Sequence, residues 1–161
     1  MKKIKVGVIG ATGYAGAELV RLLVNHPNVE IAAVSSKSFE GQTLSQVYPN
    51  LLGACDMTLT NEDDLLQKSD VVFASLPHGL SEEIAVKCLA QGKKLIDIGA
   101  DFRLSNPDDY KQWYGLDYKY PETHEQSVYI IPELMRDKYN GQPIIGNPGC
   151  YPTSIALGLA P

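Results

Sequence analysis

The sequence predicts an α/β fold, one open, doubly wound, mostly parallel sheet. Three observations predict it. Short β-rich runs alternate with segments whose apolar residues recur at helical spacing. A glycine turn separates the first strand from the first helix. The strand candidates are nearly continuous apolar runs, the pattern of a parallel sheet covered on both faces.

Ile4 to Ile9 is the first strand, bounded at once by Gly10. Ala15 to Val24 carries Leu19, Leu22 and Leu23 on one helical face, and His26-Pro27-Asn28 stops that helix. Val29 to Val34 is the second strand, completing a βαβ unit within about 35 residues. Val71 to Ser75 is the next strand, Ser81 to Ala90 a helix closed by Gly92, and Lys94 to Ile98 a further strand. Asn106 to Gln126 is polar and rich in tyrosine, and reads as surface loops with a short helix. Pro143 to Gly146 is a last strand, and Pro152 to Ala160 the opening of a helix. The sequence stops at Pro161 without a cap or a polar tail, so a chain cut inside a helix, with a second domain left out, is expected. The division expected is residues 1–148 as the sheet domain and 149–161 as the start of the helix that leads onward.

With 161 residues, 44% hydrophobic and 20% charged, the composition suits one ordinary globular domain and excludes a disordered tail or a collagen-like repeat. A net charge of −5 argues against a general nucleic-acid binder, which needs clustered Lys and Arg. No apolar run approaches the roughly 20 residues that cross a bilayer, so no membrane partner is expected. Met1-Lys2-Lys3 leads straight into a strand, leaving no room for a signal peptide. The three cysteines, Cys55, Cys88 and Cys150, are too few and too scattered for a disulfide framework or a zinc site, and no metal is expected. A cytoplasmic protein fits this usage.

Gly10-Ala11-Thr12-Gly13-Tyr14-Ala15-Gly16 follows a strand and opens a helix. Glycines there permit a tight turn, close backbone approach to a pyrophosphate and packing of helix on sheet. Free N–H groups and the positive end of the helix dipole then suit an anionic ligand, which reconciles an acidic chain with a phosphorylated cofactor. The spacing is G-x-x-G-x-x-G, a variant of the dinucleotide-binding pattern in a Rossmann-type sheet; an ordinary glycine turn is the alternative. No Gly-Lys-Ser/Thr follows, which excludes a Walker loop. The second strand ends in Ser35-Ser36-Lys37-Ser38 rather than in the acidic residue that holds a ribose 2′-OH, and hydroxyls with a lysine suit a 2′-phosphate. NADP(H) is therefore expected over NAD. Ser75-Leu76-Pro77-His78 falls at the carboxyl end of its strand, where open α/β sheets bind ligands. His78 there is either a cofactor contact or a polar loop residue.

Asn147-Pro148-Gly149-Cys150-Tyr151-Pro152-Thr153 places Cys150 near a helix N-terminus, a setting that favours the nucleophilic thiolate. A structural cysteine is the alternative. Cys88 reads as a small buried hydrophobe inside a helix, and Cys55 as incidental. Arg103, in Asp101-Phe102-Arg103-Leu104, offers a planar fork to a carboxylate or phosphate, or pairs with Asp101 or Asp108. Asp97 and Asp101 are explained as well by structural capping as by any acid/base role.

Together, Gly10 to Gly16, Leu76-Pro-His-Gly79, Asp97-Ile-Gly-Ala-Asp-Phe-Arg103 and Gly146-Asn-Pro-Gly-Cys-Tyr-Pro-Thr153 resemble the N-acetyl-gamma-glutamyl-phosphate reductases over essentially the whole chain. Aspartate-semialdehyde dehydrogenases share the architecture but typically carry Asn before the cysteine, where this chain has Gly149. The aminoadipate-carrier reductases look similar but usually lack Pro148 and Tyr151-Pro152.

The resemblance implies an NADPH-dependent reduction of an acyl phosphate to an aldehyde through a thioester on Cys150. It implies that Gly10, Ala11, Thr12, Gly13, Tyr14, Gly16 and Ser35 to Ser38 hold the cofactor, that Ser75, Leu76, Pro77, His78 and the Cys150 turn lie near its nicotinamide, and that Arg103 and Asn147 bind the small acyl-phosphate substrate. In that family a second domain carries the general-base histidine and the homo-oligomer contact. His26, His78 and His124 all precede Cys150, so 161 residues alone are expected to bind cofactor with little turnover. An aspartate-semialdehyde dehydrogenase, or a non-enzymatic NADP-sensing module with a redox-responsive thiol, are the alternatives.

Overall fold

The computed structural model describes residues 2–160; Pro161, where the expected last helix was to run out, lies outside the described residues. Two compact units divide the chain, Met1–Ser75 and Leu76–Pro161.

In the first unit, β1 (Ile4–Ile9) runs into the glycine turn, and α1 (Tyr14–Val24) carries the chain to β2 (Val29–Ser35). The one-turn helix α2 (Leu44–Val47) follows, its start fixed by the Gln46 side chain, which accepts the Thr43 amide at 3.0 Å. Next come β3 (Leu59–Thr60), α3 (Glu62–Lys68) and β4 (Val71–Ala74). The strands are parallel in the order β3-β2-β1-β4, which is the predicted βαβ logic with one added edge strand. Helix α3 escaped the sequence reading because it is short and polar, with only Leu65 and Leu66 buried. Its caps are nonetheless strong: Asn61 Oδ1 accepts the Asp64 amide at 2.9 Å, and Glu62, Asp63 and Asp64 fill the first turn, where negative charge suits the helix dipole. Val8, Val20, Val34, Leu44 and Leu59 form the buried core, and Cys55 belongs to it. Read from sequence as incidental, Cys55 is a packing residue.

The second unit begins with α4 (Ser81–Ala90) and β5 (Lys94–Asp97). After α5 (Pro107–Tyr114) and α6 (Pro121–Glu125) come β6 (Ser127–Tyr129), α7 (Pro132–Met135), β7 (Ile144–Gly146) and α8 (Cys150–Leu159). Its strands are parallel in the order β5-β7-β6. Both units are thus parallel α/β, the class the sequence predicts.

The stretch from Asn106 to Gln126 departs from expectation. It forms two helices and supplies buried groups instead of surface loops. Tyr110 is fully buried and donates its hydroxyl to Asp101 Oδ1 at 2.8 Å. The His124 ring stacks on Tyr118 at 3.5 Å, with Nε2 3.2 Å from Glu82 Oε1. Glu82 Oε2 accepts the amides of Lys119 and Tyr120, each at 2.7 Å. Polar residues here bury one another, and a hydropathy pattern registers only their polarity.

Helix α8 starts two residues ahead of Pro152, at Cys150 itself. Among the described residues no helix is long and apolar enough to cross a membrane.

Candidate active site

The glycine turn of the first unit is built around two backbone requirements. Gly10 has φ +75°, a conformation side chains disfavour, and its carbonyl accepts the Gly13 amide at 3.1 Å. A Cβ on Gly16 would run into the Gly10 carbonyl and lie 2.9 Å from Ala11 Cα, so only glycine lets α1 pack this closely on the turn. Gly13 is the N-cap of α1, contributes no side-chain hydrogen bond, and is followed by no acidic residue in the first turn. The positive end of an 11-residue helix therefore stands without a neutralising group from its own first turn. Ala11 is buried, Thr12 half-buried, and Gly13 and Tyr14 exposed.

The end of β2 closes around this turn. Ser35 offers its carbonyl to the amides of Gly10 (3.1 Å) and Ala11 (3.0 Å), and its own hydroxyl is buried without a partner. The Ser36 hydroxyl pairs with that of Thr12 at 2.6 Å, while Lys37 and Ser38 are exposed. Tyr48, which sequence reasoning missed, donates its hydroxyl to the Thr12 carbonyl at 3.0 Å and pins the turn from 36 residues away. Ser75 extends the ladder past β4, its amide donating to Ile9 O at 3.0 Å. An uncapped helix start, a glycine cradle that a Cβ would fill, and an orphaned serine hydroxyl fit a phosphorylated dinucleotide.

In the second unit the chemistry gathers behind β5 and β7. Cys150 is the first residue of α8 and is exposed, whereas Cys55 and Cys88 are buried. Burial pushes the Cys88 thiol up to about 12 and raises that of Cys55 as well. Only one of the three thiols is therefore placed to react. Thr153 ties the helix start together, donating its amide (3.1 Å) and its hydroxyl (2.9 Å) to the Gly149 carbonyl. Asn147 donates its amide to the Asp97 carbonyl at 2.8 Å and its side-chain NH2 to Pro148 O at 3.1 Å. Arg103 pairs with neither Asp101 nor Asp108. Its Nε donates to Asn147 O at 3.1 Å and its Nη2 to Ile98 O at 3.0 Å.

The segment ahead of α4 is held by the two aspartates. Asp101 Oδ1 accepts the Gly79 amide at 2.6 Å and Oδ2 the Ser81 amide at 2.8 Å. Asp97 Oδ1 accepts the Ser81 hydroxyl (2.6 Å) and the Gly99 amide (3.0 Å), while Oδ2 is buried without a partner. Burial raises the Asp97 carboxyl to about 6, more than its hydrogen bonds and Arg103 lower it. Asp101 thus caps the start of α4, as the sequence allows, while Asp97 holds the Ser81 hydroxyl and the Gly99 amide. Leu76 is half-buried, Pro77 and His78 are exposed, and the His78 ring lies 5.7 Å from that of Tyr114.

Residues 5–142 match the family model described as semialdehyde dehydrogenase, NAD binding domain. The chain belongs to this family. It is 56% identical over 158 residues to the N-acetyl-gamma-glutamyl-phosphate reductase of Clostridium botulinum (strain Eklund 17B / Type B), covering 98% of this chain and 46% of that protein. The protein of the same name from Brachyspira hyodysenteriae is 54% identical, with 98% and 47% covered. The chain thus spans about half the length of the curated relatives it matches. Among solved structures, aspartate semialdehyde dehydrogenase II of Vibrio cholerae, complexed with ASA, aligns with a TM-score of 0.71 at 20% identity, covering 98% of this chain and 45% of that one. The aspartate semialdehyde dehydrogenase of Candida albicans with NADP gives 0.64 at 19% identity, with 98% and 46% covered. These two likenesses show the fold of the semialdehyde dehydrogenase family, as the sequence predicts.

Proposed function

We propose that this chain is the dinucleotide-binding and thiol-bearing part of an N-acetyl-gamma-glutamyl-phosphate reductase, an oxidoreductase of arginine biosynthesis. The observation that carries the reading is Cys150, the one exposed thiol, standing as the first residue of α8 directly behind β7. Relatives of that name at 54–56% identity support it.

The cofactor is NADP(H). Gly10, Ala11, Thr12, Gly13, Tyr14 and Gly16 bring backbone amides and the start of α1 to its phosphates, and Ser35, Ser36, Lys37 and Ser38 offer hydroxyls and positive charge to a 2′-phosphate. Ser75, Leu76, Pro77 and His78 serve the nicotinamide end. When bound, the cofactor supplies the hydride that takes a thioester to an aldehyde.

Cys150 does the covalent work. Its thiolate sulfur forms a bond to the acyl-phosphate carbonyl carbon, and the carbon–oxygen bond to phosphate breaks with its electron pair, releasing phosphate and leaving a thioester. Once the carbonyl carbon is reduced, the carbon–sulfur bond breaks and the thiolate is restored as the aldehyde leaves. Arg103 and Asn147 orient the anionic substrate, Arg103 through Nη1 and the positive charge of a guanidinium whose Nε and Nη2 already hold two backbone carbonyls. The whole reductase is a homo-oligomer, and these 161 residues bind cofactor but turn over little by themselves.

Intact-mass measurement after exposure to N-acetyl-gamma-glutamyl phosphate tests the covalent step. An acyl adduct on Cys150, absent from Cys150→Ser, is expected. An adduct that survives Cys150→Ser, or none on the native chain, contradicts it.

A further inference from the structure

Arg103 and Gly149 occupy one another's space. The guanidinium gives Nε to the Asn147 carbonyl and Nη2 to the Ile98 carbonyl, so one planar group ties the loop behind β5 to the turn behind β7. A Cβ on Gly149 would lie 2.9 Å from Arg103 Nη1 and 3.5 Å from Cζ. Gly149 sits at φ −72° and ψ 164°, open to any residue, so the requirement for glycine is one of room and not of backbone conformation. The atoms in the way belong to the end of a flexible side chain. An alanine therefore fits only by displacing the guanidinium from its two carbonyls.

We infer that Gly149 is the clearance that admits the Arg103 guanidinium, and that Arg103 is a positioning residue for Cys150. The inference rests on the reading of Cys150 as the nucleophile. The thiol-bearing turn is held on two sides, through the Asn147 carbonyl by Arg103 and through the Gly149 carbonyl by Thr153. Both anchored carbonyls lie just ahead of Cys150 in the chain. Releasing the first lets the turn ahead of α8 loosen, and Cys150 at the start of that helix loses its fixed place. Lysine cannot replace the arginine, because a single ammonium lacks the fixed fork that reaches both carbonyls.

The test is a double-mutant cycle on the alkylation of Cys150 by iodoacetamide, with the buried Cys88 as internal control and thermal melting followed in parallel. Gly149→Ala and Arg103→Ala are each expected to slow alkylation about tenfold near neutral pH, and the double variant no further than either single. A merely structural role would slow alkylation only in proportion to the fall in melting temperature, whereas a positioning role slows it beyond that. Arg103→Lys does not restore the rate. A native rate in Gly149→Ala, full multiplication in the double variant, or rescue by Arg103→Lys overturns the inference. If native Cys150 reacts no faster than a cysteine of the unfolded chain, the reading of it as nucleophile fails. The pair is then decided by melting temperature, where shifts that add independently overturn it and shifts that do not add support it.

Discussion

Asp101 caps helix α4 from 20 residues away, its Oδ2 accepting the Ser81 amide at 2.8 Å while Oδ1 takes the Gly79 amide and the Tyr110 hydroxyl. The residue at the N-cap position itself, Leu80, offers no side-chain acceptor. Asp101→Ala leaves three donors without their acceptor and is expected to cost about 2–4 kcal/mol in urea unfolding at unchanged m. A loss under about 1 kcal/mol would show that water replaces the carboxylate.

Asp97 sets a pH dependence of definite sign. Its carboxyl is raised to about 6 in the fold from an ordinary 3.8, chiefly by burial, so the folded state favours the protonated form. The stability this group contributes is fully present below pH 3.8 and is lost as pH rises through about 6. Asp97→Asn stays neutral throughout, so its stability relative to the native chain is expected to climb across that window and to exceed it by about 2–3 kcal/mol at neutral pH. Chemical unfolding from acid to neutral pH reads this directly, and parallel curves for the two proteins would refute it.

Gly16 and Gly13 separate packing from mere proximity in the glycine turn. A Cβ at Gly16 meets backbone on the Gly10–Ala11 turn, whereas the nearest atom to one at Gly13 is Gly10 O at 3.5 Å. Gly16→Ala is expected to lose about 1–3 kcal/mol of stability, and Gly13→Ala to stay within about 0.5 kcal/mol. Melting curves that rank the two variants the other way would contradict the packing described here.

Thiol accessibility gives a simple count. One cysteine per native chain, Cys150, should react with an aromatic disulfide reagent, with Cys55 and Cys88 joining only after unfolding. Cys150→Ser should remove the native reaction. Persistence of that reaction in the variant would mean that the buried thiols open readily.

The local parts of this account were legible in the chain. Strand, glycine turn and helix from Ile4 to Val24 follow from period and from the few residues a tight turn admits. Cys150 before Pro152 announced a helix start, though not its register. What stayed hidden depends on partners distant in sequence. The sequence offers Arg103 to an anionic ligand or to Asp101 or Asp108; in the fold it binds two backbone carbonyls, which no side-chain pattern encodes. Tyr48 reaches Thr12 from an irregular segment without periodicity. Cys55, flanked by Ala54 and Asp56, has nothing nearby to mark it as core, because its burial comes from the sheet that folds around it. In Asn106 to Gln126, hydrogen bonding and ring stacking bury polar groups that a hydropathy reading assigns to the surface.

The glycine turn and the serine–lysine loop are proposed to hold NADP(H). Calorimetric titration of this chain with NADPH and, separately, NADH tests this most directly. Saturable binding of NADPH is expected, with affinity for NADH weaker by about tenfold or more, equivalent to roughly 1.4 kcal/mol or more. Tighter binding of NADH, or binding of neither, would contradict it.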